Sequence, residues 1–184
     1  KYICDQCDLF LSEVPRFFPQ WDLEEVVSGW EYDGLVKEII LKIKYDGVFD
    51  AINELTEKVW QNRKMRFPEE TVITFAPLFK KKERQRGFNQ AGLIAKHLSE
   101  KLGLEFSEKI LSKTKPTKPQ IELRAEERRK NLTGVFAVRN PELIKNKIII
   151  LLDDVKTTGT TLEEAAFVLK SSGVKKVWAI TVAH

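Results

Sequence analysis

IIILLDDVKTTGTTLEEAA, residues 148–166, is the stretch that most directly indicates the fold of this chain. Its first five residues are all apolar, which is the composition of a central parallel strand buried on both faces. Two acids follow, then four threonines around Gly159, and then a helical pattern over 161–171 that is closed by Gly173. A strand, a short turn and a helix in this order predict a parallel α/β unit. Ligands of such sheets bind beyond the carboxyl ends of the strands.

The rest of the chain repeats this alternation, and it predicts a doubly wound, mainly parallel α/β sheet. Segments 77–88 and 112–120 are charged or proline-containing and predict loops. Apolar periodicity predicts strands at 26–32, 71–76, 104–111, 134–138 and 175–182, and helices at 35–45, 50–64, 89–102 and 123–131.

Composition limits the class of protein. The chain has 184 residues, 42% of them hydrophobic, and a formal net charge of +4, which predicts an ordinary folded domain. No apolar run approaches the roughly 20 residues that a membrane span needs, and no basic-then-apolar leader is present. Two cysteines are too few for a disulfide framework. We therefore expect a cytoplasmic protein without a membrane span.

The residues after the central strand have a chemistry of their own. Asp153 and Asp154 can accept hydrogen bonds from a vicinal diol and can help place a divalent ion through water. The turn offers hydroxyl donors and free backbone amides, and the helix start adds positive potential, so a phosphate monoester fits there. A diol at one end and a phosphate at the other describe a ribose 5-phosphate. The phosphate-binding candidates are Thr157, Thr158, Gly159, Thr160 and Thr161.

Simpler interpretations account for part of this pattern. Thr160 or Thr161 can act as an N-cap that Glu163 or Glu164 completes as a capping box, and paired acids at a strand end can be solvated. These alternatives do not explain two acids directly after five apolar residues. The sequence does not favour other nucleotide-binding folds. It lacks the GxxxxGK[ST] motif of P-loop NTPases and has no GxGxxG motif of dinucleotide-binding folds after a strand.

Positive charge is concentrated in two clusters. Solvated surfaces, a phosphorylated small molecule and nucleic acid all fit such clusters, and charge alone favours solvated surfaces. The first cluster contains Lys80, Lys81, Lys82, Arg84 and Arg86, and the second contains Arg124, Arg128, Arg129 and Lys130.

Several segments resemble a known family. LLDDVKTTGTT, residues 151–161, resembles the phosphoribosyl pyrophosphate (PRPP) motif of type I phosphoribosyltransferases. The segments RQRGFNQAGLIAKHL (84–98) and KPTKPQIELRAEERRKNLTGVFAV (115–138) narrow the resemblance to the ComF family, the ComFC-like proteins linked to bacterial DNA uptake. CDQC near the start and LKIKYDG (41–47) fit the same family, so the resemblance covers nearly the whole chain.

The resemblance implies a domain organisation and a ligand. A partial CxxC knuckle and linker would occupy 1–23, and a phosphoribosyltransferase-like domain 24–184, with a small hood at about 24–66 over a core at about 70–184. Trp30 or Tyr32 in the hood could stack on a base, but aromatic residues in such a segment more often belong to the core, and we favour that alternative. The ligand would be PRPP with magnesium, with Asp153 and Asp154 on the ribose hydroxyls and 157–161 on the 5-phosphate. The pyrophosphate would meet Pro77, Leu78, Phe79, Arg84 and Arg86, and more weakly Arg128.

The same resemblance implies a reaction, although no acceptor is visible in the sequence. The ribose carbon that carries pyrophosphate would gain oxocarbenium character as the bond breaks, while magnesium and arginines stabilise the departing charge. Asp153 and Asp154 are the catalytic candidates. Asp154 can serve as the general base, or the acceptor can activate itself.

The cysteines and the basic clusters leave further alternatives open. Cys4 and Cys7 have the spacing of half a zinc knuckle, and zinc needs four ligands, so we expect a stable site only with further CxxC pairs upstream. Partial occupancy, a site between molecules and a disulfide are the alternatives for these cysteines. The family link implies single-stranded DNA and a competence helicase as partners, with Lys80, Lys81, Lys82, Arg128 and Arg129 on the DNA. A DNA-binding module and a non-catalytic PRPP sensor are therefore the rival functions.

Overall fold

The computed structural model describes residues 22–46, 51, 54, 57, 66–117 and 133–184. Parallel strands alternate with helices along these ranges. The elements are, in chain order, β1 (Glu25–Trp30), α1 (Gly34–Asp46), β2 (Thr71–Phe75), α2 (Lys80–Arg86), α3 (Gln90–Leu102), β3 (Glu105–Phe106), β4 (Leu111–Lys113), β5 (Phe136–Val138), a 3-10 turn (Pro141–Leu143), β6 (Ile148–Val155), α4 (Thr160–Ser171) and β7 (Lys176–Ala183).

Five of the strands form one sheet in the order β1-β7-β6-β2-β3, and each neighbouring pair is parallel. The strand β6 lies in the middle, where Ile149 pairs with Val72 on one side and Val177 on the other. β4 and β5 form a separate antiparallel pair. The predicted mainly parallel α/β sheet, with its central strand at 148–152, is confirmed.

A hydrophobic core covers each face of this sheet. Ile150 and Leu152 belong to the cluster that includes the apolar residues of α1 and α3. Ile149 and Leu151 point to the opposite face, where they join the cluster formed by α4 and the β4–β5 pair. Because both faces are packed, β6 needs apolar residues at every position of its first five, and the run 148–152 is the result.

Three local predictions are wrong. The segment after β2 was predicted as a loop but contains α2, because KKKERQR consists of good helix formers that lack only an apolar stripe. The predicted strand 104–111 is two short strands in different sheets, separated by a turn at which the Ser107 amide donates to the Ile73 carbonyl. β4 also extends to Lys113, into the predicted loop.

The predicted hood is also divided differently. β1 was assigned to the hood, but it pairs in parallel with β7 from Glu25 to Trp30 and is therefore part of the main sheet. Trp30 is 3% exposed and lies in the core, and Tyr32 packs against the same cluster, so the favoured core role is confirmed for Trp30. The other domain limits stay predictions.

Some predicted features fall outside the described residues. These include most of the helix 50–64, the helix 123–131, the arginines Arg128 and Arg129, and the cysteines Cys4 and Cys7. Within the described ranges, no helix combines the length and the apolar character that crossing a bilayer requires.

Candidate functional site

The candidate site lies at the carboxyl edge of the main sheet. Asp153 and Asp154 lie near the carboxyl end of strand β6, directly after the buried run. The Ala76 amide donates to the Leu152 carbonyl at 2.8 Å, so the loop that leaves β2 begins beside these acids. Since Pro77, Leu78 and Phe79 follow in that loop, the structure brings it to the same sheet edge as the acid pair.

The two acids are held in different ways. One oxygen of Asp153, Oδ1, accepts a hydrogen bond from the Asp154 amide at 2.9 Å. Both oxygens of Asp154 are engaged: Oδ1 accepts from the Val155 amide at 2.7 Å, and Oδ2 lies 2.6 Å from the Lys44 ammonium. The side chains of Lys44 and Asp154 are only 18% and 20% exposed. The helix α1 is therefore tied to the end of β6 by a mostly buried ion pair.

Burial and crowding change the acidity of Asp153. Desolvation and the neighbouring Asp154 charge raise its pKa to about 7. The Asp154 amide, Lys44 and Lys113 oppose this rise in pKa because each of them favours the ionised form. A ligand that brings hydrogen-bond donors or positive charge to Asp153 would therefore stabilise its ionised form.

Cations from three separate elements surround the acids. Burial lowers the pKa of Lys113 on β4 to about 8, and Lys82 adds repulsion while Asp153 counteracts it. Desolvation also lowers the pKa of Lys82 on α2, followed by the repulsion of Arg86 and of Lys44 on α1. A bound anion would stabilise the charged forms of Lys82 and Lys113. The surroundings of the acid pair thus favour a polyanion.

The turn after β6 has the geometry of an anion-binding loop. Gly159 adopts φ 81°, and α4 begins at the next residue. The hydroxyls of Thr158 and Thr160 are hydrogen-bonded at 2.8 Å. The first amides of a helix lack acceptors within the helix, and the helix dipole adds positive potential. The capping-box interpretation is wrong, because the N-cap is Gly159 and it has no side chain to cap with.

The residues of the RGFNQ segment connect the loop after β2 to α3. Asn89 donates through Nδ2 to the Ala76 carbonyl at 3.2 Å and accepts through Oδ1 from the Gly92 amide. Arg86 donates to Gln90 Oε1 at 2.8 Å, and its guanidinium lies 5.9 Å from the centroid of the Tyr45 ring. The segment therefore orients Arg86 and the loop at the same time.

The remaining basic residues of this cluster face solvent. Arg86 is partly buried, whereas Arg84 is exposed at the surface of α2. The exposed lysines of the same helix are Lys80, Lys81 and Lys82. Of these residues, Lys82 interacts electrostatically with Asp154, and Arg86 is held by Gln90 and Tyr45.

Two cationic residues of the site were not predicted. Lys44 lies in LKIKYDG, a segment that contributes to the family resemblance, but the sequence alone indicates no role for this lysine. Lys113 lies in a polar segment that predicted a loop, and only the sheet topology brings it near Asp153. Neither residue is adjacent in sequence to the motif that it serves.

Comparison with known proteins identifies the family. The phosphoribosyl transferase domain model matches residues 48–184. The chain belongs to the phosphoribosyltransferase domain family. That span includes β2, β6, the turn and α4, so the whole candidate site apart from Lys44 and Tyr45 lies inside the matched region.

Relatives narrow the family to its ComF-like branch. The chain is 33% identical to "DNA utilization protein YhgH" of Escherichia coli O157:H7, with 98% of this chain and 84% of that protein covered. It is 29% identical to "Competence protein F" of Haemophilus influenzae, covering 98% and 80% respectively. Identity to "Competence protein ComFC" of Bacillus subtilis is 27%, over 93% of this chain and 67% of that protein. The resemblance to ComF proteins is thereby confirmed.

The acid pair does not fit a magnesium ion held by the protein alone. Magnesium in phosphate sites uses one or two carboxylates together with water and substrate phosphates. Each oxygen of Asp154 already accepts one contact from the chain, Oδ1 from the Val155 amide and Oδ2 from Lys44, and Lys44 neutralises its charge. No group of three or more His, Cys, Asp or Glu side chains is arranged for a metal in the ranges that the structure describes. An ion at this site would have to arrive on the phosphates of its ligand.

Proposed function

We propose that this protein binds PRPP at the carboxyl edge of its main sheet. The observation that carries the proposal is the meeting of the acid pair, the Gly159 turn and cations from α1, α2 and β4 at one edge. The match to the phosphoribosyl transferase domain supports the choice of ligand.

Each part of the site has a role in this proposal. The carboxylate of Asp153 accepts hydrogen bonds from the ribose diol, and Asp154 supports it from the adjacent position. The turn 157–161 binds the 5-phosphate with backbone amides and hydroxyls. Lys82, Arg86 and Lys113 neutralise the pyrophosphate, and Arg86 suits this role because its planar fork can bind two phosphate oxygens. Magnesium accompanies PRPP on the ligand's own oxygens.

Phosphoribosyl transfer is the reaction that this arrangement can assist. The bond between the ribose carbon and the pyrophosphate oxygen breaks, the electron pair leaves with pyrophosphate, and the ring gains oxocarbenium character. Fixed cations stabilise the charge that develops on the leaving group. Contacts to the diol keep the ring in place. A sensor that binds PRPP without transfer would share the binding steps and release no pyrophosphate.

The relatives suggest the biological setting. Because related proteins bear the names competence protein and DNA utilization protein, we propose a role in the uptake or use of DNA. Single-stranded DNA is the second candidate ligand, and the exposed lysines of α2 are the observation that favours it. A competence helicase as a partner stays a prediction.

Calorimetric titration tests the proposal. PRPP with magnesium chloride is titrated into the wild type and into Asp153→Asn/Asp154→Asn, with the melting temperature of each as the folding control. We expect saturable binding to the wild type and a loss of at least about 100-fold in the variant, since charged hydrogen bonds of about 1.5–3 kcal/mol each are removed. A folded wild type that does not bind PRPP contradicts the proposal. Measuring pyrophosphate release then separates a transferase from a sensor.

A matched pair of variants distinguishes the two ligands. Lys80→Gln/Lys81→Gln changes exposed residues outside the acid pair, so we expect PRPP affinity to stay within about twofold. Binding of single-stranded DNA to that variant should weaken and lose part of its salt dependence, because each phosphate contact contributes to the salt slope. Equal losses of DNA and PRPP binding in the Asp153/Asp154 variant would show that the two ligands share one site.

A further inference from the structure

The Lys44–Asp154 ion pair places a cation of the protein itself beside the acid pair. Lys44 lies on α1, outside the region that the domain model matches, and its ammonium is 2.6 Å from Asp154 Oδ2. Both side chains are about four-fifths buried. Because a buried carboxylate needs a compensating charge, the ammonium occupies the position at which a free cation would otherwise collect.

The surroundings of the pair strengthen this compensation. The other oxygen of Asp154, Oδ1, accepts a hydrogen bond from the Val155 amide at 2.7 Å, so each oxygen of this carboxylate has a partner in the chain itself. Asp153 Oδ1 accepts the Asp154 amide, which orients the two carboxylates relative to each other. Lys82 and Lys113 contribute further positive potential on the ligand side of the acids.

We propose that Lys44 is a built-in counter-cation that keeps divalent metal ions off the acid pair. The protein then meets its ligand with Asp154 already neutralised, and a divalent ion at this edge arrives on the ligand's own oxygens. The second statement rests on the proposed function, whereas the exclusion of metal ions concerns the protein by itself. Lys44 is a positioning residue in this proposal, since it acts through Asp154.

Binding of Mn²⁺ alone tests the exclusion without any organic ligand. Free Mn²⁺ is followed by its electron paramagnetic resonance signal during titration of the wild type, Lys44→Met, Lys44→Arg and Lys42→Met. Methionine retains the apolar stem without the charge, arginine retains the charge, and Lys42 is an exposed lysine of the same helix. Melting temperatures show that each variant is folded.

The proposal predicts a gain of metal binding. Lys44→Met should bind Mn²⁺ at least about tenfold more tightly than the wild type, and Asp154→Asn introduced into that variant should remove the gain. Lys44→Arg and Lys42→Met should behave like the wild type. Equal Mn²⁺ affinity in the wild type and Lys44→Met, whether tight or absent, overturns the proposal. If Lys44→Met does not fold, tighter Mn²⁺ binding by Lys44→Arg than by the wild type would overturn the proposal, because arginine keeps the positive charge.

The PRPP measurement is kept separate so that the two proposals fail independently. PRPP is titrated in chelator and in millimolar magnesium chloride. PRPP should bind the wild type more tightly with magnesium, because the ion comes on the ligand's phosphates, whereas free Mn²⁺ without PRPP should bind the wild type weakly. A wild type that binds PRPP and also binds free Mn²⁺ tightly through Asp154 overturns the inference and leaves the PRPP site intact. A wild type that never binds PRPP contradicts the proposed function, while the Mn²⁺ titration still decides the role of Lys44.

Discussion

The two halves of β6 make opposite use of the same backbone. From Ile148 to Leu152 every side chain is buried, and four of the five residues are completely inaccessible or nearly so. From Asp153 to Val155 the strand keeps its pairing with β7 but becomes half-buried and charged. One half therefore stabilises the fold, and the other brings two acidic side chains to the edge of the sheet.

The difference also lies in where each half finds its partners. The apolar half packs against β2, β7 and the helices by general hydrophobic contact, which many sequences can provide. The charged half depends on particular side chains from distant elements, Lys44 on α1 and Lys113 on β4. Changes in the two halves should consequently be visible in different measurements.

The largest effect is expected in the apolar half. Leu151→Ala removes a side chain with no exposed surface, and we expect the free energy of unfolding to fall by about 3 kcal/mol. Urea denaturation measures this loss. The remaining folded protein should retain its PRPP affinity, because Leu151 faces the core cluster with α4 and not the ligand. A loss of affinity with unchanged stability would remove the distinction between the halves.

Asp153 in the charged half should show the opposite behaviour. Its pKa is about 7 in the folded protein against an ordinary value of 3.8, so the folded state binds more protons between these limits. The free energy of unfolding therefore falls as the pH rises through this window. Asp153→Asn has no carboxyl group at this position, so its free energy of unfolding does not fall in this way. We expect the variant to be more stable than the wild type by about 1–2 kcal/mol at pH 8 and equally stable near pH 4.

Denaturation of both proteins at several pH values checks this prediction. Glu142→Gln, an exposed carboxylate near the amino end of β6, serves as the control and should show no such gain. The stabilised Asp153→Asn protein should bind PRPP poorly, which is a direct conflict between stability and binding. A variant that is less stable at pH 8 would contradict the burial of charge at this position.

The turn after the charged half should show a smaller effect. An alanine at Gly159, where φ is 81°, is strained by about 1 kcal/mol, and its Cβ would lie 3.4 Å from Lys156 Cε. Gly103, at the end of α3, has φ 64° with open space around its Cβ, so Gly103→Ala carries a similar strain without the contact. We expect similar losses of stability from the two variants and a loss of PRPP affinity only from Gly159→Ala. Equal affinities would argue against phosphate binding by this turn.

The smallest expected effect is the uptake of a fraction of a proton when PRPP binds. Lys113 has a pKa of about 8, and a bound polyanion should raise it, so PRPP binding at pH 8.5 should take up protons. Titrations in buffers with different ionisation enthalpies measure the uptake. It should disappear in Lys113→Met, and it should persist in Lys109→Met, whose lysine is exposed in the preceding turn.

Sequence patterns predicted the elements whose cause is local. The run 148–152, the amphipathic α1 and the helix ending before Gly103 are determined by burial periodicity and capping, so their positions could be inferred. α2 was missed because its seven residues lack an apolar stripe.

The candidate site could be predicted only in part, for a similar reason. Asp153, Asp154 and the turn are contiguous, whereas Lys44 and Lys113 reach the site through tertiary packing. The place of β1 in the main sheet could not be predicted, because its partner, β7, is at the other end of the chain.

That pairing of β1 with β7 has a consequence for the order of folding. In the described sheet the first strand along the chain hydrogen-bonds only to the last, while β7 also pairs with β6. During synthesis β1 must therefore wait, unpaired, until residues 176–183 have emerged from the ribosome. Such long-range parallel pairing is slow to form because the intervening loop must close first. Completion of the last strand is thus the step that commits the nascent chain to its native sheet.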